Sequence, residues 1–220
     1  MGAMNSTTLP EPSTPTRRRG RPARPEAEVR HAVLQATLEL LLVQGYEATT
    51  IEAVAAHAGV AKKTVYRHAS NRDALVGLAV REWTDGFAPQ LQRDAHDSDE
   101  VLPLLQVILQ AVCAQVLSPQ AVQVFRLLAT DFPGKEALLQ AYLDNGIERC
   151  RALLADWLAR QQQRGLLRHG DSACMARLIL AMAVAEPLRE RVIGVVAEDA
   201  PVEVHLRECM TLLAPVLQAP

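Results

Sequence analysis

Thr49 to His68 reads TTIEAVAAHAGVAKKTVYRH, and the reading of this stretch decides the fold. Thr50 is placed to cap a helix, because its hydroxyl can accept a backbone N–H that a first helical turn leaves unpaired. Ile51, Val54 and Ala55 follow at i, i+3 and i+4 spacing and make one apolar stripe. Gly59 ends the run, since glycine best takes the left-handed conformation needed there. Val60 can plug the angle to a second short helix, Lys62 to His68, with Val65 inward. Lys62, Lys63, Thr64, Tyr66, Arg67 and His68 face mostly outward. Two short helices joined by a tight turn form a helix-turn-helix, whose second helix enters the major groove of double-stranded DNA. A helical hairpin with a solvated basic face gives the same pattern, so the spacing alone leaves both readings open.

The outward side chains suit DNA. Lys62, Lys63 and Arg67 can donate to guanine O6 and N7 or to phosphate. Thr64, Tyr66 and His68 can hydrogen-bond phosphate oxygens. Charge is distributed to match. Residues 17–72 hold ten bases against five acids, whereas residues 73–220 are net acidic, and the whole chain is −2. A basic N-terminal module on an acidic body predicts a polyanionic partner for the module. Residues 1–25 are polar and rich in Ser, Thr, Pro and Arg, a composition that predicts a disordered tail. Within it, Arg17, Arg18, Arg19 and Arg21 form a basic arm suited to a narrow, electronegative minor groove.

Gly45-Tyr46-Glu47-Ala48-Thr49-Thr50, Ala58-Gly59-Val60, and Thr64-Val65-Tyr66-Arg67-His68 followed by Asn71-Arg72-Asp73-Ala74-Leu75 resemble the DNA-binding domain of TetR/AcrR-type transcriptional repressors. The resemblance covers residues 29–80. It implies a homodimer that binds a palindromic operator, and a small effector that releases it. Three positions depart from the family pattern. Ala61 stands where a serine cap is frequent, Lys63 where a small residue is usual, and Ala69 where a phenylalanine is usual.

The remainder predicts an all-helical protein of about nine helices. Composition is 49% hydrophobic with few aromatics, and no segment alternates with period two. Helix one is expected at Glu26 to Gln44, with Val29, Val33, Leu34, Ala36, Leu40 and Leu41 buried. A fourth is expected from Arg72, capped by Asn71, to about Phe87, with Arg72 aiding a phosphate contact at its positive end. A polar stretch at 88–98, helices at 100–117 and 120–130, one long helix at 135–164, a helix at 171–196 kinked at Pro187, and a last helix at 201–217 complete the series. The domain reading is a tail at 1–25, a helix-turn-helix domain at 26–75, and a ligand-binding and dimerisation domain at 76–220.

Trp83, Phe87, Phe125, Phe132, Tyr142, Trp157, Met175 and Met182 are candidates for the lining of an effector pocket. Spacing does not separate a pocket from a filled core; the resemblance implies the pocket, for a mainly apolar ligand. The helices at 171–197 and 201–217 are apolar over more than one face and so need a second partner. Leu178, Met182, Leu188, Val192, Leu206 and Leu213 are the candidates for a dimer interface, as the resemblance also implies.

Other classes find little support. No nucleophile–base pair, phosphate loop or metal constellation marks an enzyme, and no cofactor or metal is expected. A helical assembly protein, or a DNA-binding regulator without an effector, is the alternative. Cys113, Cys150, Cys174 and Cys209 lie in no CxxC spacing and read as reduced thiols. No run of eighteen uncharged apolar residues predicts a membrane span, and the N-terminus lacks the apolar core of a signal peptide. Met1–Ala3 reads as a cloning scar, and the expected compartment is the cytoplasm.

Overall fold

The computed structural model of the protein describes residues 24–130, 132–133 and 135–218; the basic arm at Arg17, Arg18, Arg19 and Arg21 lies outside them. The described residues form nine helices. The first six are α1 (Glu26–Gln44), α2 (Ile51–His57), α3 (Lys62–His68), α4 (Arg72–Phe87), α5 (Ser98–Val116) and α6 (Pro119–Leu128). Helix α7 joins Lys135–Tyr142 to Glu148–Gln163 through a π-helical turn at Leu143–Ile147. Helix α8 joins Ser172–Leu180 to Glu186–Ile193 through a second π turn at Ala181–Ala185. Helix α9 is Glu203–Leu217.

Local chemistry sets the helix ends. Thr50 Oγ1 accepts the Ala53 N–H at 3.1 Å, and Asn71 Oδ1 accepts the Ala74 N–H at 2.8 Å. Gly45 and Gly59 close their helices at φ +83° and +66°, a region costly to any residue with a Cβ. The departure at Ala61 has a visible consequence: α3 begins without a side-chain cap.

Three apolar clusters organise the packing. Val33, Ala36 and Leu40 of α1 meet Ile51, Val54, Val65 and Leu75 and form the core under the helix-turn-helix. The adjacent face of α1, Leu34, Leu38 and Leu41, packs on Val76 and Val80 of α4, Val124 of α6 and Leu138 of α7. The largest cluster joins α5, α7, α8 and α9 around Leu105, Leu109, Trp157, Ile179 and Leu206. Helix α1 is therefore buried on two faces, one more than the expected stripe. The expected boundary at 75/76 falls inside α4, an unbroken helix shared by both parts.

Helix α5 is long and apolar enough by composition to cross a bilayer, which the count of uncharged residues did not anticipate. In the fold its Val101, Leu105, Ile108 and Val112 are core residues, so its apolar face is already occupied. The polar stretch after α4 is partly ordered as a 3-10 turn at Ala88–Gln92. Its continuation is tied to α7: Trp157 Nε1 donates to Arg93 O at 2.8 Å, and Gln161 Nε2 to Asp94 Oδ1 at 2.8 Å.

A buried arginine holds the link between α8 and α9. Arg191 donates to the carbonyls of Pro187, Glu198 and Ala200, and Arg126 reaches across from α6 to the carbonyls of Arg191 and Val192. Removing the Arg191 guanidinium strands one buried and two part-buried carbonyl groups, at about 1–3 kcal/mol for a fully buried one and less for the others. Arg191→Met is therefore expected to lower stability by on the order of 3 kcal/mol in urea unfolding. A midpoint unchanged from the parent would contradict this assignment.

Candidate DNA-contacting face and effector cavity

Val65 is fully buried and anchors α3 on the helix-turn-helix core. That leaves Lys63 and Tyr66 on the outer face, three positions apart and both exposed. Tyr66 is 54% exposed, high for a large ring. Lys62 Nζ pairs with Glu52 Oε1 at 2.7 Å, and Arg67 Nη2 with Glu26 Oε2 at 3.0 Å. The Lys62 hydrogen bond holds the Glu52 carboxyl below its ordinary range. Both basic side chains thus sit in exposed pairs that a phosphate can displace at small cost. Thr64 is half-buried, and Thr50 spends its oxygen on the α2 cap.

Two expected DNA contacts are placed elsewhere. The His68 side chain is only 9% exposed and turns toward Glu26 at the start of α1, with Nε2 at 3.5 Å from the carboxylate. Three residues past the buried Val65 and two past Tyr66, it falls on the inner side of α3 and is a packing residue, not an outward one. Arg72 does not extend from the α4 terminus either. Its guanidinium lies 3.7 Å over the Tyr46 ring, donates to Tyr46 O at 3.2 Å, and approaches Glu47 at 3.7 Å. Stacking on an aromatic face is a favoured use of arginine, and it fixes the chain entering α2 against α4.

The same tyrosine completes the joint. Tyr46 Oη donates to Asp73 Oδ1 at 2.6 Å, and burial together with that carboxylate raises the phenol's pKa. At its other end α4 is tied to α7, where Arg149 Nε donates to Thr84 Oγ1 at 2.9 Å and Nη2 engages Asp85. From Asp73 to Thr84, about 17 Å of helix separates these ties.

A cavity of about 450 Å³ lies beside the C-terminal half of α4. Of the expected lining residues, Trp83, Phe87, Phe125 and Tyr142 border it. Phe132, Trp157, Met175 and Met182 do not. Phe132 packs on the Tyr46 ring at 5.3 Å between centroids. Trp157 is fully buried and its N–H is committed to Arg93 O, so its fluorescence has no direct contact with the cavity. Met175 accepts from Gln162 Nε2, and Met182 packs on the main core.

The unanticipated lining comes from the two π turns, which contribute Gly146 and Ile147 on one side and Ala181, Val184 and Ala185 on the other. A π turn adds a residue to the helical circuit and displaces the wall it belongs to. A Cβ on Gly146 would lie 2.9 Å from Val80 Cγ1, so a larger residue there forces the buried Val80 side chain to shift. Pro187 accounts for part of the second turn. It has no N–H for the carbonyl of Ala183, and Cys113 Sγ donates to that carbonyl at 3.5 Å.

Cysteines near the cavity are protected. Burial pushes the Cys113 and Cys150 thiols up to about 12 and raises Cys209, while Cys174 is half-exposed. A raised thiol pKa keeps the neutral form at pH 8 and removes the reactive thiolate. Native protein treated with Ellman's reagent at pH 8 is expected to release one fast equivalent, absent from Cys174→Ser. A fast thiol remaining in that variant would show that a core cysteine is accessible.

The presumed interface residues divide. Leu188, Leu206 and Leu213 are buried within the protomer, and Met182 and Val192 are half-buried. Only Leu178 among them is exposed. Other exposed apolar side chains on these two helices are Ile193 on α8 and Val204, Leu212 and Val216 on α9, the last three at eight- and four-residue spacing.

Comparison with known proteins agrees with this architecture. Residues 33–79 match the profile of bacterial regulatory proteins of the tetR family, and residues 103–213 that of the AefR-like transcriptional repressor C-terminal domain. The HTH-type transcriptional regulator TcmR of Streptomyces glaucescens is 27% identical over 134 residues, 61% of this chain and 54% of that protein. The chain thus spans about half the length of that relative. A crystal structure described as a TetR-family regulator from Mesorhizobium loti MAFF303099 is similar with a TM-score of 0.70, at 22% identity over 90% of this chain and 100% of that one. The flavonoid-responsive regulator FrrA is similar with a TM-score of 0.62, at 22% identity over 87% and 98%. A SmeT–triclosan complex is similar with a TM-score of 0.59, at 17% identity over 86% and 91%. These structures share the fold. With both its helix-turn-helix and the greater part of its body matched, the chain belongs to the TetR family of DNA-binding transcriptional regulators, a non-enzymatic family.

Proposed function

We propose that the protein is a ligand-responsive cytoplasmic repressor that binds a palindromic operator as a homodimer and is released by a small, mainly apolar effector. One observation carries the reading. Helix α4 supplies Val80, Trp83, Thr84 and Phe87 to the cavity wall, and its first turn is clamped to the helix-turn-helix by Tyr46, Arg72 and Asp73. A ligand that fits better when α4 shifts also shifts α3, and the coupling is limited to its differential affinity for the two positions. FrrA is named as flavonoid-responsive and SmeT is complexed with triclosan, two small apolar-bodied molecules, which supports the effector part of the reading. The arm at Arg17–Arg21 adds affinity through the phosphate backbone or minor groove without reading the half-site.

Within α3, Tyr66 anchors to phosphate and Lys63 reaches a base edge. The test is a binding series on the DNA upstream of its own gene, varied one base pair at a time. Lys63→Ala is expected to relax discrimination at one position per half-site, by on the order of 1–3 kcal/mol. Tyr66→Phe is expected to weaken all sequences alike by about 0.5–1.5 kcal/mol. Uniform weakening by Lys63→Ala would make that lysine a phosphate contact, and no effect from either would remove α3 from the groove.

The dimer face follows from exposure. Leu212 is 65% exposed and stands between Val204 and Val216 on the outer face of α9. Leu212 and Val216 are exposed apolar residues one turn apart, and a two-fold axis through α8 and α9 would bury them against their copies. Leu212→Glu is expected to give a monomer in sedimentation at micromolar concentration, with operator affinity reduced at least about tenfold. A variant that sediments as a dimer would place the interface elsewhere.

A further inference from the structure

The cavity also carries information on the charge of its ligand, given the effector reading above. Three arginines, Arg151, Arg177 and Arg189, stand on its wall, and among the described residues no aspartate, glutamate or lysine does. Two of the three are committed. Arg151 pairs with Glu148 at 2.6 Å, and Arg189 with Glu186, each within one turn of its own helix. Arg177 has no carboxylate at ion-pair distance among the described residues. Its one contact is Cys174 Sγ at 3.7 Å, a weak acceptor.

Position gives this free guanidinium its use. A surface depression between α7 and α8 shares Arg151 and Arg177 with the cavity, so Arg177 stands where the apolar interior meets solvent. The two acids of that depression are occupied. Glu148 holds Arg151, and Asp171 accepts the backbone N–H groups of Ala173 and Cys174 at the start of α8. Tyr142, a buried residue of the lining, has no hydrogen-bond partner for its hydroxyl among the described residues. Burial holds that phenol neutral, at about 12, so it serves as a donor at neutral pH. A cation entering this space would lose hydration, find no carboxylate, and pass an unpaired guanidinium. An anion with an apolar body would bury the body and keep its charged end at the rim, as charged groups on apolar stems do.

We propose that the effector is an organic acid whose apolar body fills the cavity and whose carboxylate pairs with Arg177 at the rim between α7 and α8. Because the rim is exposed, the pairing is worth the low end of a charge-assisted hydrogen bond, about tenfold in affinity.

The test uses the full chain and three probes with one hydrocarbon tail: decanoate, decanol and decyltrimethylammonium. Trp83 quenching reports occupancy of the cavity, and operator binding is followed in parallel. Decanoate is expected to bind at least about tenfold more tightly than the ammonium probe. Arg177→Gln is expected to weaken decanoate about tenfold and leave decanol unchanged; Arg177 makes no ion pair among the described residues and is exposed, so the fold tolerates the change. Equal affinity for acid and ammonium, or an Arg177→Gln protein that keeps its decanoate affinity, overturns the head-group assignment while leaving the cavity an apolar effector site. Failure of both decanoate and decanol to bind overturns both readings. Arg177-dependent decanoate binding that leaves operator affinity unmoved upholds the acid site and removes its regulatory role.

Discussion

The joint made by Tyr46, Arg72 and Asp73 is the constraint on which the rest depends. Tyr46 sits in the turn between α1 and α2, and the other two open α4. One ring accepts a guanidinium on its face and donates its hydroxyl to a carboxylate. The orientation of the helix-turn-helix relative to α4 is fixed by directional contacts instead of by apolar packing alone. Apolar contact is non-directional and tolerates sliding, whereas a stacked, hydrogen-bonded pair has one geometry. Helix α1 adds a broad second support, because its two buried faces reach both the helix-turn-helix and α6 and α7. In the proposed function, these contacts are what would pass a shift of α4 on to α3.

The cavity exists because its walls are built from small residues and displaced helices. Gly146, Ala181 and Ala185 face space that larger side chains would fill. Interiors pack densely, and an unfilled volume of this size costs dispersion contacts along its lining. The tie from Arg149 to Thr84 holds a residue of the cavity wall in place. A body held open in this way keeps binding energy in reserve for a ligand that fills it.

The arginines of this chain show how one residue type takes several roles. Arg191 is buried and satisfied by carbonyls alone; Arg149 bridges two helices; Arg72 stacks on an aromatic ring. Arg177 is left with a thiol for company at the edge of an apolar space. In sequence they look alike. Their roles differ because the surroundings differ in carboxylates, carbonyls and rings within reach.

What the sequence by itself determined was decided within one helical turn. The Thr50 and Asn71 caps, the glycine stops at Gly45 and Gly59, and the inward Val65 follow from spacing and backbone sterics, and they make the helix-turn-helix legible without neighbours. The all-helical class and the helix bounds followed for the same reason, apart from the π turns. The tertiary structure alone decided which face of an apolar helix goes inside. Leu206 and Leu213 carry no mark that sets them apart from Leu212, yet the first two are core and the third is exposed. Phe125 and Trp157 are both large, aromatic and buried or half-buried, yet only the first borders the cavity. His68 and Arg72 read as outward DNA contacts until the fold shows His68 turned toward Glu26 and Arg72 stacked on Tyr46, both distant in sequence. Hydrophobicity is a property of one residue, whereas burial, pairing and empty space belong to groups of residues that only the folded chain brings together.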